Sequence, residues 1–181
     1  MLELVGTFGR RVVGIIGGRT VVGDVDRMLQ KLSSVDKRHA TVSQVFDASR
    51  IAGKGHLVHA ARLALMAHSA GKGFASSLAV ELACWTAGLR QIDKALERVG
   101  VRRGTRELAI LTIGDSQEQV GKAQSDLIRE LRIERDDSVV ELSPKKARWL
   151  VKIFSLPKNL AEDIDVQKLL LERVALLSLE K

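Results

Sequence analysis

A chain of 181 residues is long enough to bury one adequate core, so a single domain over residues 1–181 is expected. Its 45% hydrophobic content offsets the entropy of ordering and excludes a disordered protein; no apolar run reaches the roughly 18–20 residues of a membrane span, so a cytoplasmic protein is expected. A net charge of +7 makes a phosphate-rich partner the first to test, although two Trp, four Phe and no Tyr leave out the aromatic sheet on which successive bases stack.

The chain opens with a predicted hairpin: Leu2 and Leu4, then Val12, Val13, Ile15 and Ile16, flank a turn at Thr7-Phe8-Gly9-Arg10, and Gly17-Gly18 ends the second strand. Asp24 caps a short helix with Val25, Met28, Leu29 and Leu32 inward, and a third strand is expected around residues 41–46. Residues 56–101 read as almost all helix, interrupted at Gly71-Lys72-Gly73, where glycine permits a positive φ. Ser76 or Ser77 caps the middle helix, whose stripe is Leu78, Leu82, Trp85 and Leu89. After Gly88 a third helix turns Ile92, Ala95, Leu96 and Val99 inward and stops at Gly100.

Residues 108–113 form a continuous apolar run, as expected of a central strand covered on both faces. Asp115, with Glu118 three positions on, starts the next helix. A strand is expected at residues 138–142, followed by a helix capped by Ser143 with Pro144 at its first position. The last helix is expected over residues 164–179, with an apolar arc wider than one core contact needs. Strands dispersed among helices predict an α+β fold (mixed α/β): one small, largely antiparallel sheet packed with several helices.

The sequence offers little to an enzyme. Gly53-Lys54-Gly55 and Gly71-Lys72-Gly73 lack the Ser or Thr and the glycine spacing of a phosphate loop. His56 and His59 stand three apart on a helix, but no further ligand completes a metal site, so no metal and no cofactor are expected. Glu81 is a lone carboxylate among apolar neighbours, read as structural in the absence of a nucleophile. Cys84 reads as a small buried hydrophobe. The middle third, by contrast, concentrates Lys and Arg: Arg90, Lys94 and Arg98 at i, i+4 and i+8 would make a basic ridge able to follow a phosphate backbone, or else a solvated face paired with Asp93 and Glu97.

One long block carries a resemblance. Glu81-Leu-Ala-Cys-Trp-Thr-Ala-Gly-Leu-Arg-Gln-Ile-Asp-Lys-Ala-Leu-Glu-Arg-Val-Gly-Val is similar to the signature of the PRPK-binding protein family, the kinase-binding subunit of the KEOPS complex of archaea and eukaryotes, and Ile51-Ala-Gly-Lys-Gly-His-Leu matches the block before it. The pair Cys84-Trp85 and Leu89 depart from the commoner pattern, and the match covers about a third of the chain. The resemblance implies a mixed α/β fold, no enzymatic activity and no catalytic residue. It implies binding to the small KEOPS kinase, an indirect link to the threonylcarbamoyl transferase subunit, and recruitment of tRNA by its 3′ end for threonylcarbamoyladenosine formation. Carried onto this chain, it makes Lys54, His56, Lys72, Arg90, Gln91 and Lys94 the expected tRNA contacts. The wide apolar arc of the last helix makes Leu169, Leu170, Val174 and Leu177 the expected kinase contact, with a simple core helix as the equal alternative. A stand-alone basic RNA-binding domain is the alternative.

Overall fold

The computed structural model describes residues 1–157 and 165–177. β1 (Leu2–Gly6) and β2 (Gly9–Arg19) form the predicted hairpin, closed by Thr7 and Phe8. The sheet order is β1-β2-β4-β3, with β3 at Val42–Asp47 and β4 at Glu107–Gly114, and every pairing is antiparallel. The apolar run of β4 is explained by its central place: Leu108 and Ile110 enter one face, Ala109, Leu111 and Ile113 the other, so both faces of the strand are covered.

On one face lie α1 (Val25–His39) and α5 (Gln117–Glu130), which seat Met28, Leu32, Val35 and Leu127 on the sheet. On the other lie α2 (Lys54–Ser69), α3 (Leu78–Ala87), α6 (Pro144–Ile153) and α7 (Val166–Leu176), with α4 (Ile92–Val99) beside α3. The fold is therefore α+β, one antiparallel sheet between two layers of helix. Local chemistry sets the helix starts: Asp24, Ser77 and Ser143 each accept a backbone N–H of the first turn, satisfying a donor the helix cannot.

Several expectations are corrected. Gly17-Gly18 does not end β2 but lies within it, and β5 (Glu134–Arg135) pairs there. A Cβ at Gly18 would meet Ile133 at 2.2 Å, and one at Gly17 would meet the Asp136 carbonyl at 2.8 Å, so the glycines clear room for chain crossing the strand. The strand expected at residues 138–142 is instead a 3-10 turn, Asp137–Val140, capped by Asp136. The cap of α5 is Ser116, one residue later than expected, in a capping box with Gln119. The first helix is not short: α1 runs for 15 residues.

On α4 only Ala95 and Val99 are buried, while Ile92 and Leu96 stay 37% and 40% exposed. With Leu29 of α1, Leu96 edges a groove beside β3, the outer strand of the sheet. The last helix is described from Val166 to Leu176; residues 164, 178 and 179 of the expected span lie outside the described residues.

Candidate nucleic-acid interface

α3 organises the charged surface. The helix is buried from Glu81 to Ala87, and Glu81 is wholly enclosed. Its Oε2 accepts the N–H groups of Phe74 (2.7 Å) and Ala75 (2.9 Å), and its Oε1 accepts the indole N–H of Trp85 (2.7 Å). A buried carboxylate is stable when its lone pairs are filled in this way. The consequence is that the segment joining α2 to α3 is held down on α3. Gly73 permits the approach, because a Cβ there would come 3.1 Å from Glu81 Oε2.

The pinned segment then positions a cation. The Phe74 ring stacks on Trp85 with centroids 5.3 Å apart and planes at 29°, and the Arg90 guanidinium lies 4.9 Å from the centroid of Phe74. Lys72 stands two residues before Phe74, exposed in the same segment. Gln91 is the N-cap of α4 yet makes no side-chain capping bond, and it is exposed, as is Lys94 one turn later.

More positive charge collects at the C-terminal end of α3. That end closes at Gly88 in the left-handed region, φ 61°, and the Arg98 guanidinium donates to the Ala87 carbonyl at 3.1 Å while lying 5.4 Å over the Phe154 ring. A Cβ at Gly88 would come within 3.5 Å of the Arg173 side chain of α7. Burial first, and then the charge of Arg173, lowers the pKa of Arg98. Two guanidiniums can share this place because the free carbonyls of a helix end carry partial negative charge.

His56 is corrected from an RNA contact to a structural group. It is fully buried, donating Nε2–H to the Thr86 carbonyl (3.0 Å) and accepting the Ala52 N–H on Nδ1 (3.2 Å). Burial pushes its pKa down to about 4, so the ring is neutral and ties the start of α2 to the end of α3. His59 is partly buried with its pKa lowered, by burial above all, and no three His, Cys, Asp or Glu side chains gather as a metal site among the described residues. Burial, followed by Glu81, raises the Cys84 thiol to about 11, in keeping with a packing role.

The straight ridge over Arg90, Lys94 and Arg98 does not form, since Arg90 precedes α4 and Arg98 turns inward to Ala87. Lys54 is exposed at the first position of α2, 3.9 Å from Glu141. Lys72 lies beyond the other end of that helix, whose length is about 24 Å at 1.5 Å per residue. The two lysines therefore stand at opposite ends of α2. Of the two readings of the last helix, burial favours the core one: Leu169, Leu170, Val174 and Leu177, the expected kinase contact, are at most 8% exposed. α7 wedges among α2, α3 and α6, and three neighbours require the wide apolar arc. Leu176, 57% exposed, is the large apolar side chain that α7 turns outward, beside the exposed Lys168 and Glu172. Phe74 and Arg173 escaped the sequence reading; an aromatic flanked by glycine and alanine in a connecting segment was the available signal for the first.

The buried acid and histidine are both occupied by internal hydrogen bonds, while Lys72, Arg90 and Lys94 stand exposed, an arrangement suited to holding a partner. The family model described as kinase binding protein CGI-121 matches residues 21–178. The chain belongs to that family, and the match takes in every helix from α1 to α7. A search of curated proteins finds no match.

Proposed function

We propose that the protein is the non-catalytic adaptor of a KEOPS complex, acting in the cytoplasm to join its kinase to tRNA for threonylcarbamoyladenosine formation. Membership of a kinase-binding family supports the kinase half of this reading. The observation that carries the RNA half is the placing of Arg90 by the Glu81–Trp85–Phe74 chain of contacts, inside the same block that resembles the KEOPS subunit. A buried network that fixes one exposed guanidinium suits recognition of a phosphate at a defined point. Lys72, Gln91 and Lys94 supply further charge and an amide beside it, and the 3′ CCA end of tRNA is the proposed ligand. Lys54, at the far end of α2, would meet a more distant phosphate.

Intact tRNA and tRNA trimmed of its CCA end are the test, with wild type and Arg90→Glu. Trimming is expected to weaken binding at least tenfold, and Arg90→Glu to make the salt dependence of binding shallower by about one phosphate's worth. Equal binding of trimmed and intact tRNA would remove the 3′-end role. For the kinase, Leu176→Glu is the cleaner probe, since deleting α7 would also strip Leu170 and Val174 from the core. Loss of copurification with the KEOPS kinase is expected; if Leu96→Glu breaks the complex instead, the kinase lies in the groove beside β3. A chain that binds RNA but no kinase would be the stand-alone RNA-binding domain that the net charge of +7 equally allows.

A further inference from the structure

α6 is ten residues long and contains no Asp or Glu. At 100° per residue, Lys145, Arg148, Trp149 and Lys152 fall within an arc of about 100°, and all four are exposed, Trp149 by 48%. Among the described residues none of these three cations has an acidic partner. The orientation is fixed from the other side: Leu150 and Phe154 are buried, and Lys146 donates to the carbonyls of Val139, Val140 and Glu141 at 3.0, 3.1 and 3.2 Å. Trp149 also borders a depression of about 470 Å³ whose walls include Ser49, Ser138, Ser143 and Glu141, groups able to hydrogen-bond the edge of a base.

Three occupants compete for such a face. A membrane surface would need an apolar face to insert, and the apolar face of α6 is spent on the core. A protein interface buries a centre depleted in lysine, whereas here lysines flank the aromatic on both sides along the helix. A single-stranded nucleic acid needs this combination, cations spaced along a track and an aromatic face on which a base can stack. We propose that the outward face of α6 is a second RNA contact, which stacks one base of a single-stranded segment on Trp149 while Lys145, Arg148 and Lys152 meet its phosphates. It stands on residues separate from the proposed 3′-end surface and does not depend on that reading.

The test uses the full chain and an oligoadenylate of about twelve nucleotides without a CCA end, a length ample for one binding site. Trp85 is buried at 3% exposure, so quenching of tryptophan fluorescence on binding reports Trp149 in wild type, and the anisotropy of an end-labelled oligoadenylate gives the affinity of every variant, those lacking Trp149 included. Saturable quenching is expected. Trp149→Ala should weaken binding about tenfold, Trp149→Phe should restore most of it, and Lys145→Glu with Arg148→Glu and Lys152→Glu should flatten the log K against log salt slope by about 2. Circular dichroism unchanged from wild type accompanies each variant. Wild-type affinity in Trp149→Ala, equal affinity for duplex RNA of the same length, or binding to phosphatidylserine vesicles that depends on α6 while RNA binding does not, would each overturn the proposal. Arg90→Glu should leave oligoadenylate quenching intact, so failure of the 3′-end reading and failure of this one give different results.

Discussion

The end of α3 and the outer face of α6 are both basic, yet they are built in opposite ways. Around α3 the exposed cation is placed from within: Glu81 holds Phe74, Phe74 stacks on Trp85, and Arg90 lies on Phe74. On α6 the cations project from a regular helix, whose direction is fixed from beneath by the packing of Leu150 and Phe154 and by the bonds of Lys146 to three carbonyls. The difference teaches where each surface is vulnerable. The first can be ruined by a buried substitution that never touches ligand, whereas the second responds only to changes at the surface itself.

The sharpest break of this contrast is Glu81→Ala. It leaves the Trp85 indole N–H and the amides of Phe74 and Ala75 without their acceptor, and a loss of about 3 kcal/mol in urea unfolding is expected. Hydrogen exchange at Phe74 and Ala75 should speed up as well, while α6 keeps its protection. Unchanged stability would show that the acid does not hold the segment.

The next effect in size is that of pH on His56, whose folded pKa of about 4 lies below its ordinary 6.5. Between those values the unfolded chain takes up a proton that the folded ring refuses. The stability this group contributes is therefore complete above pH 6.5 and is lost as pH falls toward 4, by up to about 3 kcal/mol. Asp36 acts with the opposite sign, since burial raises its pKa and acid then favours the folded state. The measurement is accordingly a difference: His56→Asn should flatten the urea midpoint between pH 6.5 and 4.5 relative to wild type. Parallel curves for the two proteins would refute the buried, neutral assignment.

Smaller effects separate the two surfaces. Ser143→Ala removes the side-chain acceptor for the Lys146 N–H at the start of α6 and should cost about 1 kcal/mol, with binding at the α3 end unaffected. Phe74→Ala deprives Arg90 of its ring and should weaken binding of intact tRNA about threefold, leaving oligoadenylate quenching as it was. A Phe74→Ala protein that binds tRNA as wild type does would mean that Arg90 needs no platform.

Much of this frame is legible in the sequence because it is written locally. Caps at Asp24, Ser77 and Ser143, the stop at Gly88 and the apolar run of β4 each depend on neighbours in the chain. What escaped depends on contacts between distant segments. Gly17 and Gly18 look like a strand end until residues 133–140 are seen to cross them. His56 looks like a ligand until Thr86 and Ala52 are seen to use both its nitrogens. The leucines of α7 look surplus until three helices surround them. For the charged surfaces, composition located the excess in the middle third, but which cations point outward is decided by packing: Arg98 turned in, while the acid-free face of α6, closer to the C-terminus, stayed out.

The place of β4 between β2 and β3 bears on how the protein comes off the ribosome. The pairing of β2 joins residues 12–19 to 107–114, and β3 also waits for the same strand. Until β4 has been synthesised, the hairpin and α1 through α4 have no sheet centre to close on. Contacts of such long sequence separation fold slowly, and the nascent half-chain carries open strand edges for that interval. Much of the family signature, from Ile51 to Val101, is thus made before the strand that lets it dock exists, so a truncation ahead of residue 107 should yield a chain that captures neither kinase nor RNA.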